Sequence, residues 1–297
     1  MNTVIITGAG GFIGTELTRK MIQNGINVIA VSLNYNDSFP QSHLVTRIET
    51  DICTNEHLFD FFPKESYEAF YHFAWAGVNG PQKADPIVQL DNVKMTMRCA
   101  QIAKQLGCKK FLCSGTVAEK AVESLSLLKK TNGGMIYSVA KQCAHLMLEA
   151  YCKHIELPFV WMQFSNVYGP HNKTGNLISY TLGEILQGRE ALFGPAEQPY
   201  DFVFVDDLIE AVYRLGLSET RDNCYFIGSG EPRILKDYLF EIGEKCGKPE
   251  SIKIGERPDD GIVYDMEMFD NSKLKMDIGE YVKKTFSENI KYTIANY

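Results

Sequence analysis

Two short stretches of the 297-residue chain carry residues whose types and spacing could do chemistry. Thr7-Gly8-Ala9-Gly10-Gly11-Phe12-Ile13-Gly14 directly follows a β-branched run and opens a helical pattern. Gly8 permits a tight turn, Gly11 lets a pyrophosphate approach the backbone, and Gly14 lets the helix lie close to a sheet. The helix start adds unpaired N–H groups and the positive end of its dipole. The second stretch holds Tyr137 and Lys141, at i and i+4 on one helix face, so their side chains project into the same space. A free phenol, with a pKa near 10, is a poor base at neutral pH. A neighbouring ammonium favours the phenolate. Tyr137 could then take or give the proton of a carbinol while hydride moves to or from a nicotinamide.

The TGxxGxxG spacing, the Tyr137-Ser138-Val139-Ala140-Lys141 segment and a serine on the preceding strand resemble the extended short-chain dehydrogenase/reductase superfamily. Within it the chain resembles the NAD-dependent epimerase/dehydratase family acting on nucleotide sugars, from about residue 2 to residue 275. The resemblance implies a catalytic set of Ser114, Tyr137 and Lys141. Ser114 would donate a hydrogen bond to the reacting sugar oxygen, with Thr116 as its neighbour if the strand register slips. Lys141 would also anchor the nicotinamide ribose. The phosphate loop (Gly8, Gly11, Phe12, Ile13, Gly14) would cradle the dinucleotide and Asp51-Ile52 would bracket its adenine. Ala74-Trp75-Ala76-Gly77 resembles the small-residue loop under the ribose and diphosphate, although Trp75 is bulky. Asn92 falls where the family places a helix asparagine that supports the active site.

The second half resembles the family's substrate side. Asn166, in Phe164-Ser165-Asn166-Val167-Tyr168-Gly169-Pro170, would contact the nucleotide sugar, and Asn176-Leu177 would meet its base or phosphate. Arg257, in Arg257-Pro258-Asp259-Asp260, would clamp the diphosphate with its fork of N–H groups. In the run Asp201-Phe202-Val203-Phe204-Val205-Asp206-Asp207 the arginine usual before the aspartate is Tyr200, so one clamp is missing.

Departures narrow the reaction. Where 4,6-dehydratases carry an Asp-Glu pair after the hydroxyl residue, this chain has Gly115 and Thr116, which disfavours dehydration. Ala118-Glu119 replaces a usual Tyr-Gly. After the second strand, where NAD sites place an acid for the ribose hydroxyls, stands Ser32. No arginine adjoins it to bind a 2′-phosphate, so NAD and NADP are both open, with a tilt to NADP. The expected activity is hydride transfer at C4 of a nucleotide-diphosphate hexose, of the epimerase type. An NADPH-dependent 4-keto-6-deoxyhexose reductase is the alternative, and a non-enzymatic dinucleotide sensor a minor one.

Composition excludes other classes. With 30 Lys and Arg against 37 Asp and Glu, the net charge of −7 makes a poor nucleic-acid binder. No apolar stretch approaches the roughly 18 residues of a membrane span, and the N-terminus reads as a first strand, not a signal peptide. The eight cysteines form no CxxC pair and read as reduced core thiols, which points to the cytoplasm. His72 and His171 belong to no cluster with metal-ligand spacing, so no metal is expected.

These residues need an α/β frame to position them. Apolar runs at Thr3–Thr7, Asn27–Val31, Ala69–Ala74, Lys110–Ser114 and Phe159–Phe164 alternate with helical patterns at Phe12–Gln23, Ile87–Leu106 and Tyr137–His154. That order predicts a Rossmann-like, doubly wound parallel sheet over residues 1–165. Residues 166–297 are expected to form a smaller mixed α/β substrate lobe, with the chain free to cross back. Further helices are predicted over Asn176–Leu186, Asp207–Leu217 and Leu235–Cys246, and a strand over Asp201–Val205. The two long helices resemble those that pair in family homodimers, so a homodimer is expected.

Overall fold

The computed structural model describes residues 3–55, 57–123, 133, 135–172, 174–259 and 264–297. Strands β1 (Thr3–Thr7), β2 (Asn27–Ser32), β3 (Val45–Glu49), β4 (Ala69–His72), β5 (Phe111–Thr116) and β6 (Phe159–Phe164) form most of one sheet. The later strands are β7 (Asn166–Tyr168), β8 (Ala191–Leu192), β9 (Pro199–Tyr200), β10 (Phe202–Phe204), β11 (Cys224–Ile227), β12 (Arg233–Ile234) and β13 (Ile252–Lys253). The seven-stranded sheet runs β11-β6-β5-β4-β1-β2-β3. This is the Rossmann-like order expected, with the chain reversing direction across the sheet at β1 and β4.

The interior strands are apolar runs because both of their faces are covered. β1, β4 and β6 are buried along their whole length. Each Ile, Val or Phe sealed in this way contributes about 1.5–3 kcal/mol. Of this sheet the sequence reading misses β11 and also β3. β3 lies at the sheet edge, exposes Thr46, Arg47 and Glu49 and buries only Ile48, so it shows no apolar run. Such polar side chains also guard an edge against unwanted pairing. The expected strand Ala69–Ala74 ends at His72, where the chain leaves the sheet toward Ala74 and Trp75.

The helices are α1 (Phe12–Gln23), α2 (Pro86–Gln105), α3 (Ala118–Glu123), α4 (Met135–His154), α5 (Leu177–Leu186), α6 (Val205–Leu217), α7 (Leu235–Lys245), α8 (Ser272–Ile278) and α9 (Phe286–Ala295). α1 buries Gly14, Leu17, Thr18 and Met21, the i, i+3, i+4, i+7 stripe of a helix lying on a sheet. Asp85 caps α2 by accepting hydrogen bonds from the N–H groups of Ile87 (2.9 Å) and Val88 (3.2 Å), with Pro86 at the first helical position. Gly107, at φ +67°, ends that helix in the left-handed conformation that glycine tolerates.

The chain divides into two compact units. The first comprises residues 1–116, 133–163 and 209–225, and the second residues 117–132, 164–208 and 226–297. Neither is a single stretch of sequence. All eight cysteines are free, but they are not uniformly internal. Cys99, Cys108, Cys113 and Cys152 are buried, whereas Cys53 lies in an exposed turn and Cys143 on the outward face of α4, so those two depart from the core reading. No described helix is long and apolar enough to cross a membrane.

Candidate active site

In the first unit, three glycines make room where a side chain would collide. Gly8 turns at φ +72°, and a Cβ there would lie 2.6 Å from the Ala74 nitrogen. A Cβ on Gly14 would lie 2.3 Å from the Gly8 carbonyl oxygen, so glycine lets α1 press onto the turn. Gly10, which the sequence reading did not single out, is equally constrained, because its Cβ would come 2.3 Å from the Asn34 oxygen and 2.8 Å from Ser32 Oγ. Gly11 is looser, with the Gly8 oxygen 3.2 Å from its Cβ position. It caps α1 without a side-chain hydrogen bond, and the first turn at Phe12 and Ile13 carries no acid. This is a cradle that fits a dinucleotide pyrophosphate: close backbone, an uncapped helix start and no opposing charge.

The flanking loops are held by side chains. Ser32 ends β2 half-buried, and its carbonyl accepts from the Thr50 N–H at 2.9 Å. Asp51 Oδ1 accepts from the Cys53 N–H at 2.9 Å, which shapes the turn beside buried Ile52. Asn92 is buried and grips Ala76 from both sides: its Oδ1 accepts from the Ala76 N–H at 2.9 Å and its Nδ2 donates to the Ala76 carbonyl at 2.8 Å. The Ala74–Gly77 loop is thereby tied to α2.

Tyr137 and Lys141 both lie on α4 in this unit, with Ser114 on β5. Lys141 Nζ donates to the Ser114 carbonyl at 2.7 Å, joining helix and strand end. Ser114 Oγ donates to the His72 carbonyl at 3.3 Å. The Trp75 and Tyr137 rings meet in a T-shaped contact, at 6.3 Å between centroids and 87° between planes. Lys83 Nζ lies 5.4 Å from the Tyr137 ring centre. His72, on β4, is sealed between Thr7 and Thr96. Thr96 Oγ1 donates to the Asn92 carbonyl (2.8 Å) and so accepts from His72 Nε2 (3.0 Å), while Thr7 Oγ1 donates to Nδ1 (2.7 Å). Burial, with the Lys141 charge second, pushes the imidazole down to about 3, so it is neutral.

The second unit holds the remaining candidates apart from Thr116, which ends β5 half-buried. Asn166 opens β7. Its Nδ2 donates to the Asp201 carbonyl at 3.1 Å and its Oδ1 accepts from the Tyr200 hydroxyl at 2.9 Å. Tyr200, found where an arginine is usual, therefore meets Asn166 directly. Asn176 is spent locally: it caps α5 by accepting from the Ser179 N–H at 2.9 Å, and its Nδ2 donates to the Val167 carbonyl at 2.8 Å. Leu177 follows, half-buried, as the first helical residue. Arg257 is exposed, with its guanidinium 4.8 Å from the Tyr180 ring centre and its Nη2 donating to the Tyr180 hydroxyl at 2.8 Å. Asp259 is exposed, and Asp260 lies outside the described residues.

Asp201, in the same unit, fixes the turn after β11. Its carboxylate accepts from the Ser229 N–H at 2.9 Å and from the Ser229 hydroxyl, and burial pushes the carboxyl up. A cavity of about 150 Å³ lies among Tyr168, Phe202, Tyr238 and Phe286. Two cations line it, Lys284 and Arg233, and Arg233 is paired with Glu241 at 2.9 Å. None of the candidate catalytic, cofactor or substrate residues named from the sequence lines it. Sequence reasoning missed Gly10, Gln89, Trp161 and Tyr180. The double glycine at 10–11 signalled the first, but nothing in the local pattern separates the others from ordinary core or helix residues.

Known proteins give this arrangement a context. UDP-glucose 4-epimerase of Mycolicibacterium smegmatis is 25% identical over 266 residues, covering 83% of each chain. The dTDP-D-glucose 4,6-dehydratase of Bos taurus is 24% identical over 324 residues, covering 99% of this chain and 88% of the relative. Among solved structures, UDP-glucose 4-epimerase of Thermotoga maritima, with UDP-glucose, superposes with a TM-score of 0.85 at 21% identity, covering 99% of this chain and 98% of its own. The dTDP-glucose 4,6-dehydratase of Bacillus anthracis, in complex with NAD, gives 0.82 at 20% identity, with 99% and 96% covered. Epimerases and dehydratases thus share this fold and this sequence neighbourhood. The NAD dependent epimerase/dehydratase family matches residues 4–228, and the chain belongs to that family.

Proposed function

We propose that this protein is an NAD-dependent nucleotide-sugar epimerase that inverts C4 of a nucleotide-diphosphate hexose. The observation that carries the reading is the 2.7 Å hydrogen bond from Lys141 Nζ to the Ser114 carbonyl, which joins the strand bearing the hydroxyl to the helix bearing Tyr137. Gly8, Gly10, Gly14 and the start of α1 would hold the pyrophosphate, with Asp51 and Ile52 beside the adenine and the Ala74–Ala76 loop beneath the ribose. The bound nicotinamide supplies reversible hydride transfer. Tyr137 takes the proton of the C4 hydroxyl and later returns it, and Lys141 keeps the phenolate accessible near neutral pH. Ser114 exchanges its 3.3 Å bond to His72 for one to the sugar oxygen. Arg257 and Asn166 would bind the nucleotide diphosphate.

Three further points belong to this reading. NAD is favoured over NADP because the arginines that reach the loop after β2 are engaged. Arg19 pairs with Glu16, and Arg47 lies 5.3 and 4.9 Å from the Tyr35 and Phe39 ring centres. Dehydration is disfavoured because Gly115 and Thr116 put no carboxyl group after Ser114. A cytoplasmic homodimer fits the eight free thiols and the exposed Ile87, Leu90, Val139, Leu146 and Met147 on α2 and α4.

The test incubates the NAD-loaded protein with UDP-glucose and UDP-N-acetylglucosamine and resolves the products by chromatography. A 4-epimer formed with no net NADH is expected. Tyr137→Phe is expected to lower kcat by about 10³-fold. Wild-type turnover by Tyr137→Phe would sink the mechanism. Stoichiometric NADPH oxidation with a 4-keto sugar would instead identify a reductase.

A further inference from the structure

We propose that Trp75 is a positioning residue for the proton-transfer pair, holding Lys141 charged and aimed at Ser114 while its T-shaped contact fixes Tyr137. The proposal rests on the roles given to Tyr137 and Lys141 above. Lys141 is only 2% exposed, so its ammonium has lost nearly all its water. A buried ammonium without replacement solvation sheds its proton. Part of that replacement comes from the Ser114 carbonyl at 2.7 Å, and part from an indole, because Nζ sits 3.7 Å from the Trp75 ring centre. The Trp161 ring centre is 5.9 Å away on β6, so both tryptophans of the chain lie near this one cation. Indole has the best aromatic face for a cation. Unlike a carboxylate, it stabilises the ammonium without cancelling its charge, and that charge remains available to a phenolate.

The indole is held in place. Its Nε1–H donates to Gln89 Oε1 at 2.8 Å, and Gln89 is buried on α2. Gln89 Nε2 in turn donates to the carbonyls of Gly77 and Gln82, each at 3.1 Å. Asn92 clamps the next residue, Ala76, on both its N–H and its carbonyl. The ring is therefore fixed at its nitrogen and its loop is fixed behind it, with one side on Lys141 and the 87° T-shaped contact on Tyr137. A small residue at position 75 would leave Lys141 without this neighbour.

The test follows ionisation of Tyr137 itself, read as the ultraviolet difference absorbance between each NAD-loaded protein and its Tyr137→Phe counterpart across a pH titration. Trp75→Leu is expected to raise the phenol midpoint by about one pH unit, a tenfold change in the ionisation constant. Trp75→Phe, which keeps a weaker ring, should raise it less, and Lys141→Met at least as much as Trp75→Leu. Gln89→Leu, which spares the indole and removes its anchor, should give a smaller rise and serves if Trp75→Leu does not fold. Wild-type midpoints in the Trp75 and Gln89 variants, with Lys141→Met still raising the midpoint, overturn the role of Trp75 and leave the pair intact. A midpoint that Lys141→Met leaves unchanged overturns the pair, and the proposal with it.

Discussion

Of the cations that rest on aromatic rings in this molecule, Lys141 in the first unit and Arg257 in the second are held in opposite ways. Lys141, in the first unit, is buried, anchored to a backbone carbonyl at 2.7 Å and 3.7 Å from the Trp75 ring centre. Arg257, in the second, is exposed and lies 4.8 Å from the Tyr180 ring centre with one N–H on the tyrosine hydroxyl. A buried point charge with fixed neighbours suits proton chemistry, where small displacements are costly. An exposed guanidinium, with most of its N–H fork turned to solvent, suits capture of an anion that arrives hydrated. On the proposed function, the same pairing of cation and ring would serve reaction in one place and binding in the other.

Substitutions at the two cations should separate these roles. Lys141→Met carries the largest expected effect, a fall in kcat of about 10²-fold or more with little change in KM. Arg257→Leu should do the reverse, raising KM for the nucleotide sugar about tenfold while kcat stays near wild type. Equal effects on kcat from both, in steady-state assays, would dissolve the distinction. Tyr180→Phe removes the hydroxyl that accepts from Arg257 Nη2 (2.8 Å) and from the Leu192 N–H (3.0 Å), and should raise KM about threefold.

The units also differ in how pH acts on their buried groups. His72 is held neutral down to about 3, whereas an unfolded histidine titrates near 6.5. Between those values the unfolded chain binds the extra proton, so the stability from neutral His72 is complete above about pH 6.5. It is lost as pH falls, by up to about 1.4 kcal/mol per unit. Asp207, in the second unit, has the opposite sign. Burial raises its carboxyl to about 6, so the folded state holds the proton more tightly and that stability is lost as pH rises from about 4 toward 6. Urea unfolding across pH should show a shallower acid slope in His72→Asn and a shallower loss between pH 4 and 6 in Asp207→Asn. Unchanged slopes would mean that neither group titrates as its burial dictates.

Much of the first unit was legible in the sequence because its elements are buried on both faces. β1 and α1 appear over the expected residues, Thr3–Thr7 and Phe12–Gln23. β3 escaped because an edge strand needs no apolar run, and α9 escaped although Thr285 and Glu288 spell the reciprocal cap that its N-terminus forms. In the candidate site, residue types that could do chemistry were readable, whereas residues that hold them in place through distant contacts were not. Gln89 meets Trp75 and Tyr180 meets Arg257, each at 2.8 Å and each across a gap in sequence, and no local spacing encodes such pairs. Asn176 shows the converse, since the structure spends both ends of its amide on a helix cap and β7.

The seventh strand sets the order in which this molecule can be made. β6 is sealed on its outer edge by β11, and the Trp161 N–H donates to the Asn223 carbonyl at 2.7 Å. About sixty residues are translated between the end of β6 and β11. Until Cys224–Ile227 leave the ribosome, the nascent chain carries an apolar strand with an open edge, the state most prone to pair with another chain. Folding of the first unit therefore waits on a segment synthesised after much of the second unit. A transcript ending near residue 165 would yield an aggregating fragment, not a smaller dinucleotide-binding protein.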